Sequence, residues 1–336
     1  MNSQTPKSQR RVQRILTRLF WFALVGVLLY FALRKAPIAD IRRALLQLQL
    51  WQIIAVLTLN AFCYMLATLR WWIIVEAENK HVPYFPLLSV RISVFGVSYF
   101  TLGPQVGGEP LQVFALQRKY GLTYTHATAA VLMDKLLEFL VDFVLLAIGL
   151  AAILQARVLT ESGIQLMGSL IALVFLIFWP PTHLILLYNR HYPLTALVHA
   201  TPFIPKNSKP VRFLRATERL ASAFCQRHPR RLLIALFFSI LAGAGMLVDY
   251  ALMATFLNIH LPFWKMIAGW MMGWISLLTP LPGGLGALEA SQVFTLGKFG
   301  FSAATALSLT LVIRGRDMFI GGIGLLLAGH GVASKE

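Results

Sequence analysis

The sequence predicts an all-α protein, a polytopic membrane helix bundle in which two broken segments re-enter the bilayer as hairpins, and three observations carry that prediction. Of the 336 residues, 57% are hydrophobic and only 13% are charged, against a charged share of roughly 25% in soluble domains. The apolar residues gather in runs long enough to cross a hydrocarbon core about 30 Å thick. The basic excess, 30 Lys and Arg against 13 Asp and Glu for a net +17, flanks those runs as the loop bias of membrane proteins requires. An ordinary cytosolic enzyme is excluded, because its surface would exceed the apolar patches that soluble monomers tolerate. Nucleic acid is not an expected partner, since the other marks of a nucleic-acid binder are missing.

The elements follow in order. Residues 1–18 form a basic cytoplasmic N-terminus. A short crossing, Leu19 to Leu33, comes next, with Arg18 and Arg34 placed to snorkel. No A-x-A-like site follows it, so a cleaved signal peptide is not expected. Five longer crossings follow: Trp51 to Val75, Ala127 to Ile153, Gly163 to Tyr188, Leu232 to Leu257 and Ala303 to Gly329. Together 19–330 make one transmembrane domain, closed by a cytoplasmic tail, 331–336.

Two apolar stretches are interrupted. Pro83 to Leu116 contains Leu102-Gly103-Pro104-Gln105-Val106-Gly107-Gly108-Glu109-Pro110, and Pro262 to Leu296 contains Thr279-Pro280-Leu281-Pro282-Gly283-Gly284-Leu285-Gly286. Each has room for two half-helices that enter and turn back. Charge placement favours that reading: with both stretches re-entrant, 18 Lys and Arg lie inside and 7 outside. If each crossed once, the balance would be 9 inside and 16 outside, against the positive-inside rule.

The chain also repeats itself. Glu109 to Leu116 matches Glu289 to Leu296 at five of eight positions with an offset of 180. The same offset superposes crossing, broken segment and crossing in order, giving units of about 51–153 and 231–329. Three crossings separate them, so the second unit is expected upside down. Inverted repeats whose broken helices meet near the midplane are a transporter architecture.

Ionisable groups inside a membrane cost about 2.5 to 3.5 kcal/mol each on insertion scales and mark function by default. Asp134, Glu138 and Asp142 form an i, i+4, i+8 stripe on one helix, with Lys135 in reach of Glu138. The stripe is either a buried ion-pair network or a polar, proton-titratable groove. In the second unit Arg314, Arg316 and Asp317 stand at corresponding depth, with 314 the counterpart of 134. Arg314 is placed either to pair with Asp134 or Glu138 across the bundle or to fork onto a phosphate. Pro104, Gly107, Gly108, Pro282, Gly283, Gly284 and Gly286 free backbone groups that lipid cannot satisfy. Glu109 and Glu289 lie just past the breaks, where they either cap exposed amides or bind substrate or a proton. Arg70 is expected to snorkel, Arg91 is a weak site candidate, Asp249 reads equally as a packing partner or a relay, and His183 reads as interfacial.

The loop 189–231 is expected to hold an amphipathic helix, with Leu214, Thr217, Leu220, Ala221 and Phe224 on one face and Arg212, Arg215 and Arg219 elsewhere, lying on the anionic leaflet surface. A second such helix is expected over Ile38 to Leu48. Cys63 in an apolar run and Cys225 in a basic loop make no disulfide framework. No metal and no cofactor are expected: ligand spacing is missing, and the Gly283–Gly286 run lacks Rossmann or P-loop context.

Gly108-Glu109 followed by Leu116 and Tyr120-Gly121, then Met133-Asp134-Lys135, then Pro282-Gly283-Gly284-Leu285-Gly286-Ala287-Leu288-Glu289, and finally Arg314, resemble the lysylphosphatidylglycerol synthase transmembrane family of flippase-like domain proteins. The resemblance spans roughly 15–330. Gln112 stands where that pattern often carries a basic residue, and Asp134-Lys135 where an acid–Arg pair is common. The resemblance implies movement of lipids between leaflets of an inner membrane, with anionic phospholipid or a lipid-linked intermediate as partner and lipid-biosynthesis enzymes as associates. Some family members add a soluble aminoacyl-transferase domain; with the chain ending at Glu336, lipid aminoacylation is not expected. Glu109, Asp134, Lys135, Glu138, Glu289, Arg314 and Asp317 are the expected headgroup-binding residues. An intramembrane transferase with Asp134 or Glu138 as base, a non-catalytic subunit and a proton-coupled solute carrier are the alternatives.

Overall fold

The computed structural model describes residues 46, 48–77, 82–100, 108–155, 163–201, 205, 208–279 and 281–333. The expected N-terminus 1–18, the crossing Leu19 to Leu33, nearly all of the helix expected over Ile38 to Leu48, Pro104, Gly107, Pro280 and residues 334–336 lie outside them. Among the described residues the protein is all-α, without strands: α1 (Leu50–Glu76), α2 (Tyr84–Phe100), α3 (Glu109–Tyr120), α4 (Tyr124–Gln155), α5 (Gly163–Tyr188), α6 (Pro193–Ala200), α7 (Lys209–Arg227), α8 (Pro229–Phe256), α9 (Phe263–Ser276), a 3-10 turn (Pro282–Gly284), α10 (Ala287–Lys298) and α11 (Ala303–Ala333).

Helices α1, α4 and α8 are long and apolar enough to cross a membrane, by length and composition. α11 has 31 residues but interrupts its apolar run with Arg314, Arg316 and Asp317. Both interrupted stretches fold as two short helices around a break. At 1.5 Å per residue, α2, α3, α9 and α10 measure about 18 to 26 Å, too short for any one to span the hydrocarbon core. Large apolar side chains such as Phe175 and Phe178 on α5, Phe237 on α8 and Leu326 on α11 stand exposed on the outside, as a lipid-facing bundle requires.

The helix order recurs at the 180-residue offset: α1 falls on α8, α2 on α9, α3 on α10 and α4 on α11. The packing is reciprocal as well. α1 lies along its counterpart α8, while α2 packs on α11 and its counterpart α9 packs on α4. The α2–α11 contact is made by glycines. A Cβ on Gly324 would come within 2.2 Å of the Ile92 carbonyl oxygen, and one on Gly96 within 2.4 Å of that of Gly321. Such backbone-to-backbone approach is how helices associate in lipid, where no hydrophobic force draws them together.

Two apolar clusters form the interior. One gathers Trp71, Leu87, Leu137, Phe224 and Leu232; the other gathers Val56, Leu146, Met253, Leu288 and Ile313. On α1 and α8 Asn60, Arg70, Ser239 and Asp249 fall between these two clusters in the chain, as does Asp142 on α4, while Asp134 lies among the first cluster's residues Met133 and Leu136. A polar layer is thus held between two greasy ones.

α7 is amphipathic as expected, with Arg212, Arg215 and Arg219 exposed. Its apolar face, however, does not simply rest on a leaflet. Thr217, Ala221 and Phe224 are buried, and the helix packs on α4, α5, α6 and α8. Glu218, also fully buried, accepts hydrogen bonds from the Leu194 and Thr195 amides, both at 2.8 Å, and from the Thr195 hydroxyl. It thereby caps α6, whose first N–H groups lack helical partners. Leu214 and Leu220 are only half-buried, and the buried face also takes in Val211, Glu218, Ser222 and Cys225, so it is broader than the expected one and is covered by protein.

Candidate functional site

The stripe on α4 is answered by arginines from two other helices. Asp134, fully buried, receives Arg70 Nε of α1 at 2.6 Å and Arg91 Nη1 of α2 at 3.0 Å, one on each carboxylate oxygen. Glu138, one turn on, receives Arg70 Nη2 at 2.6 Å, Arg91 Nη2 at 3.3 Å and Lys135 Nζ at 3.0 Å. The third nitrogen of Arg70 donates to Ser239 Oγ at 3.0 Å, and that hydroxyl donates to the Leu137 carbonyl at 2.7 Å. Each guanidinium is therefore forked across two carboxylates, the geometry that makes arginine the cation of choice for buried pairs.

Arg70 does not snorkel. It is among the most completely buried large side chains of the protein and ties α1 to α4 and α8. Arg91 belongs to the same cluster. Both were within reach of sequence reasoning: three carboxylates on one helix face need cations from neighbours, and Lys135 supplies one charge. Arg70 and Arg91 are the remaining cations inside apolar stretches of the first unit.

Arg314 pairs with neither Asp134 nor Glu138. It grips the second break of its own unit. Both oxygens of Glu289 accept from its guanidinium, from Nε and, at 2.8 Å, from Nη2, while Nη1 donates to the Gly283 carbonyl at 2.8 Å and Nη2 to that of Gly284 at 3.2 Å. Glu289 also accepts the Gly286 amide at 2.8 Å, so it caps the start of α10. Gly283, Gly284 and Gly286 take φ of 55°, 60° and 79°, a region that L side chains disfavour. Pro282 opens the 3-10 turn that carries them. The Gly283 and Gly284 carbonyls and the Gly286 amide of this break are thus satisfied by protein side chains, as freed backbone groups in a membrane must be.

At the first break Gly108 is buried and precedes α3, with Pro110 in the first turn. A Cβ there would sit 2.7 Å from Ser98 Oγ. Glu109, with 34% of its side chain exposed, has Lys135 Nζ at 3.6 Å. Asp249 of α8, fully buried, pairs with Arg316 and accepts Asn60 Nδ2 at 3.2 Å. Arg316 also forks onto Asp317, at 2.7 Å from Nη2.

These groups surround a central cavity of about 240 Å³ whose polar lining includes Arg70, Arg91, Lys135, Glu138, Asp142 and Arg316. Of the residues expected from sequence, Glu109, Lys135, Glu138 and Asp317 line it together. Asp134 lies behind them as the anchor of both arginines, and Glu289 and Arg314 stand apart as the clamp of the second break. Among the described residues no group of three His, Cys or carboxylates is placed to hold a metal ion.

The two units treat the same residue differently. Gln292 is fully engaged, accepting the Tyr250 hydroxyl at 2.7 Å and donating to the Gly269 carbonyl at 2.9 Å. Its counterpart Gln112 is buried with Oε1 lacking a hydrogen-bond partner, and so are Ser98 Oγ and Asn60 Oδ1. All three residues belong to the cavity wall.

The chain is 25% identical over 315 residues to the UPF0104 membrane protein PH1989 of Pyrococcus horikoshii, covering 87% of this chain and 89% of that one. The model of the lysylphosphatidylglycerol synthase TM region matches residues 18–324, which take in both breaks, the α4 stripe and the Arg314 clamp. The protein is a membrane protein, and it belongs to the lysylphosphatidylglycerol synthase TM region family.

Proposed function

We propose that the protein moves an anionic phospholipid or lipid-linked headgroup between the leaflets of a bacterial inner membrane, holding the headgroup in the central cavity while the acyl chains stay in lipid. In this reading the two units are inverted, both broken segments are re-entrant, and both termini and the 189–231 loop are cytoplasmic. The observation that carries the proposal is the cavity itself. Arg91 and Lys135 and the unpartnered Ser98, Gln112 and Asn60 oxygens all belong to its lining, in an apolar bundle where such groups would otherwise be costly. Membership of a family named for a lipid synthase supports a lipid as the cargo. The intramembrane position is consistent with a headgroup that must be shielded and with tails that need no shielding.

The test is reconstitution into vesicles of phosphatidylglycerol and phosphatidylcholine carrying a headgroup-anionic fluorescent lipid, with an impermeant quencher reporting leaflet exchange. Lys135→Met removes a charge-assisted contact of about 1.5 to 3 kcal/mol and should slow exchange roughly tenfold or more. Gln112→Leu should slow it less, and Lys135→Arg should retain it. Unchanged exchange in Lys135→Met and Gln112→Leu, with thermal stability intact, would remove this site. Conversion of the labelled lipid into a new species would make the protein an intramembrane transferase instead.

A further inference from the structure

Asp142 stands alone in the cavity. It is the third carboxylate of the α4 stripe and 8% exposed. It lines the cavity, and among the described residues it makes no ion pair or hydrogen bond. The charged and titratable groups that face the cavity with it are Tyr64 and Arg70 of α1, Arg91 of α2, Glu109 of α3, Lys135 and Glu138 of α4, Tyr250 of α8, and Arg316 and Asp317 of α11; α9 adds only Trp270 and Trp274 near it. Every cation among these is committed. Arg70, Arg91 and Lys135 are shared by Asp134, Glu138 and Glu109, and Arg316 by Asp249 and Asp317. Asp142 has no positive charge of its own.

That bookkeeping matters for an anionic headgroup. Its entry adds negative charge to a low-dielectric space in which carboxylates already match or exceed cations, and each uncompensated charge there costs several kcal/mol. We propose that Asp142 is the proton-binding site of the cavity: one proton is taken up from the side the headgroup enters and released on the side it leaves, so that the two travel together. This rests on the lipid-headgroup reading for its cargo but not for the site. A metal ion is a poorer occupant, because among the described residues no group of three His, Cys or carboxylates is placed to hold one, and hard cations take six or more oxygens.

Two measurements on the full chain test it. In lipid nanodiscs, infrared difference spectra between acid and alkaline pH should show the carbonyl stretch of a carboxylic acid that is lost in Asp142→Asn and kept, displaced, in Asp142→Glu. In the vesicles described above, a gradient of one pH unit should bias the steady-state leaflet distribution of the anionic probe up to about tenfold in the wild type, leave it unbiased in Asp142→Asn and keep the bias in Asp142→Glu. A carboxylic-acid band unchanged in Asp142→Asn overturns the site whatever the transport result. A band that is lost while the gradient bias persists overturns the coupling. If no lipid moves in the wild type, the cargo reading fails and the infrared arm alone decides whether Asp142 takes up the proton. Monodisperse elution of both variants at wild-type melting temperature guards against misfolding.

Discussion

Replacing Arg70 by Met tests whether the α4 stripe is held by buried ion pairs. The guanidinium donates to Asp134 and Glu138, both at 2.6 Å, and to Ser239 at 3.0 Å, so its loss strips one of two arginines from a carboxylate with no exposure to solvent. Removing one partner of a buried pair costs about 3 to 5 kcal/mol, because the survivor stays charged and uncompensated. Arg91 remains at 3.0 Å from Asp134 and 3.3 Å from Glu138, which places the expected loss at the low end, about 3 kcal/mol. At roughly 2 to 4 °C per kcal/mol, the melting midpoint should fall by about 6 to 12 °C, read by intrinsic tryptophan fluorescence in detergent at a fixed scan rate. Arg70→Met combined with Asp134→Asn should recover part of the loss, since charge and countercharge then leave together. A fall in stability below about 1 kcal/mol, the range of exposed pairs, would refute the account of the cluster.

The remaining predictions concern other parts of the bundle. Gly324→Ala should destabilise by about 1 to 3 kcal/mol, because its Cβ would meet the Ile92 carbonyl at 2.2 Å, whereas Gly297→Ala, with open space around it, should be neutral or gain up to about 1 kcal/mol; melting curves of the two variants separate these. A double-mutant cycle on Glu289 and Arg314 should give a coupling several times that of Glu109 and Lys135, since the first pair is bidentate and buried and the second sits at 3.6 Å with Glu109 one-third exposed; equal couplings would contradict that ordering. Cys63 and Cys225 are fully buried, and burial pushes the Cys225 thiol up to about 12. The reactive thiolate is therefore scarce at neutral pH, and maleimide should label neither residue until the protein unfolds.

What was legible in the sequence follows the physics of each signal. Hydrophobic run length and Pro/Gly interruption are local, so the helices α1, α4, α5, α8 and α11 and the two helix–break–helix segments fall where the runs and breaks lie. The 180-residue offset was legible because five identities sit just past the two breaks. Pairing was much less so. Whether Arg314 meets Asp134 or Glu289 depends on how α11 sits against α10 and α4, which no periodicity reveals. The cross-unit pair, one of the two readings open for Arg314, is not formed, because Glu289, three residues after Gly286, engages Arg314 while capping α10. Arg70 was misread for a related reason: beside Trp71 and Trp72 near a helix end it has the profile of a snorkelling residue, and only the three-dimensional demand of Asp134 and Glu138 draws it inward.

The two segments related by the 180-residue offset show the same helix order with different polar contacts. In each, a glutamate at the start of the second half-helix meets a cation on the last helix of its own unit: Glu289 with Arg314, and Glu109 with Lys135. In the second unit that device is closed, with the break carbonyls, the Gly286 amide and Gln292 all satisfied by protein. In the first, Lys135 is shared with Glu138 at the edge of the cavity, and the Gln112 and Ser98 side-chain oxygens have no hydrogen-bond partner. Buried polar groups left unsatisfied cost about 1 to 3 kcal/mol each, a cost the second unit shows how to avoid with the same glutamine. On the proposed reading, Lys135 and Gln112, which line the cavity, are sharper probes of headgroup contact than Glu289 and Arg314, whose donors and acceptors are already engaged with each other and with the Gly283 and Gly284 carbonyls.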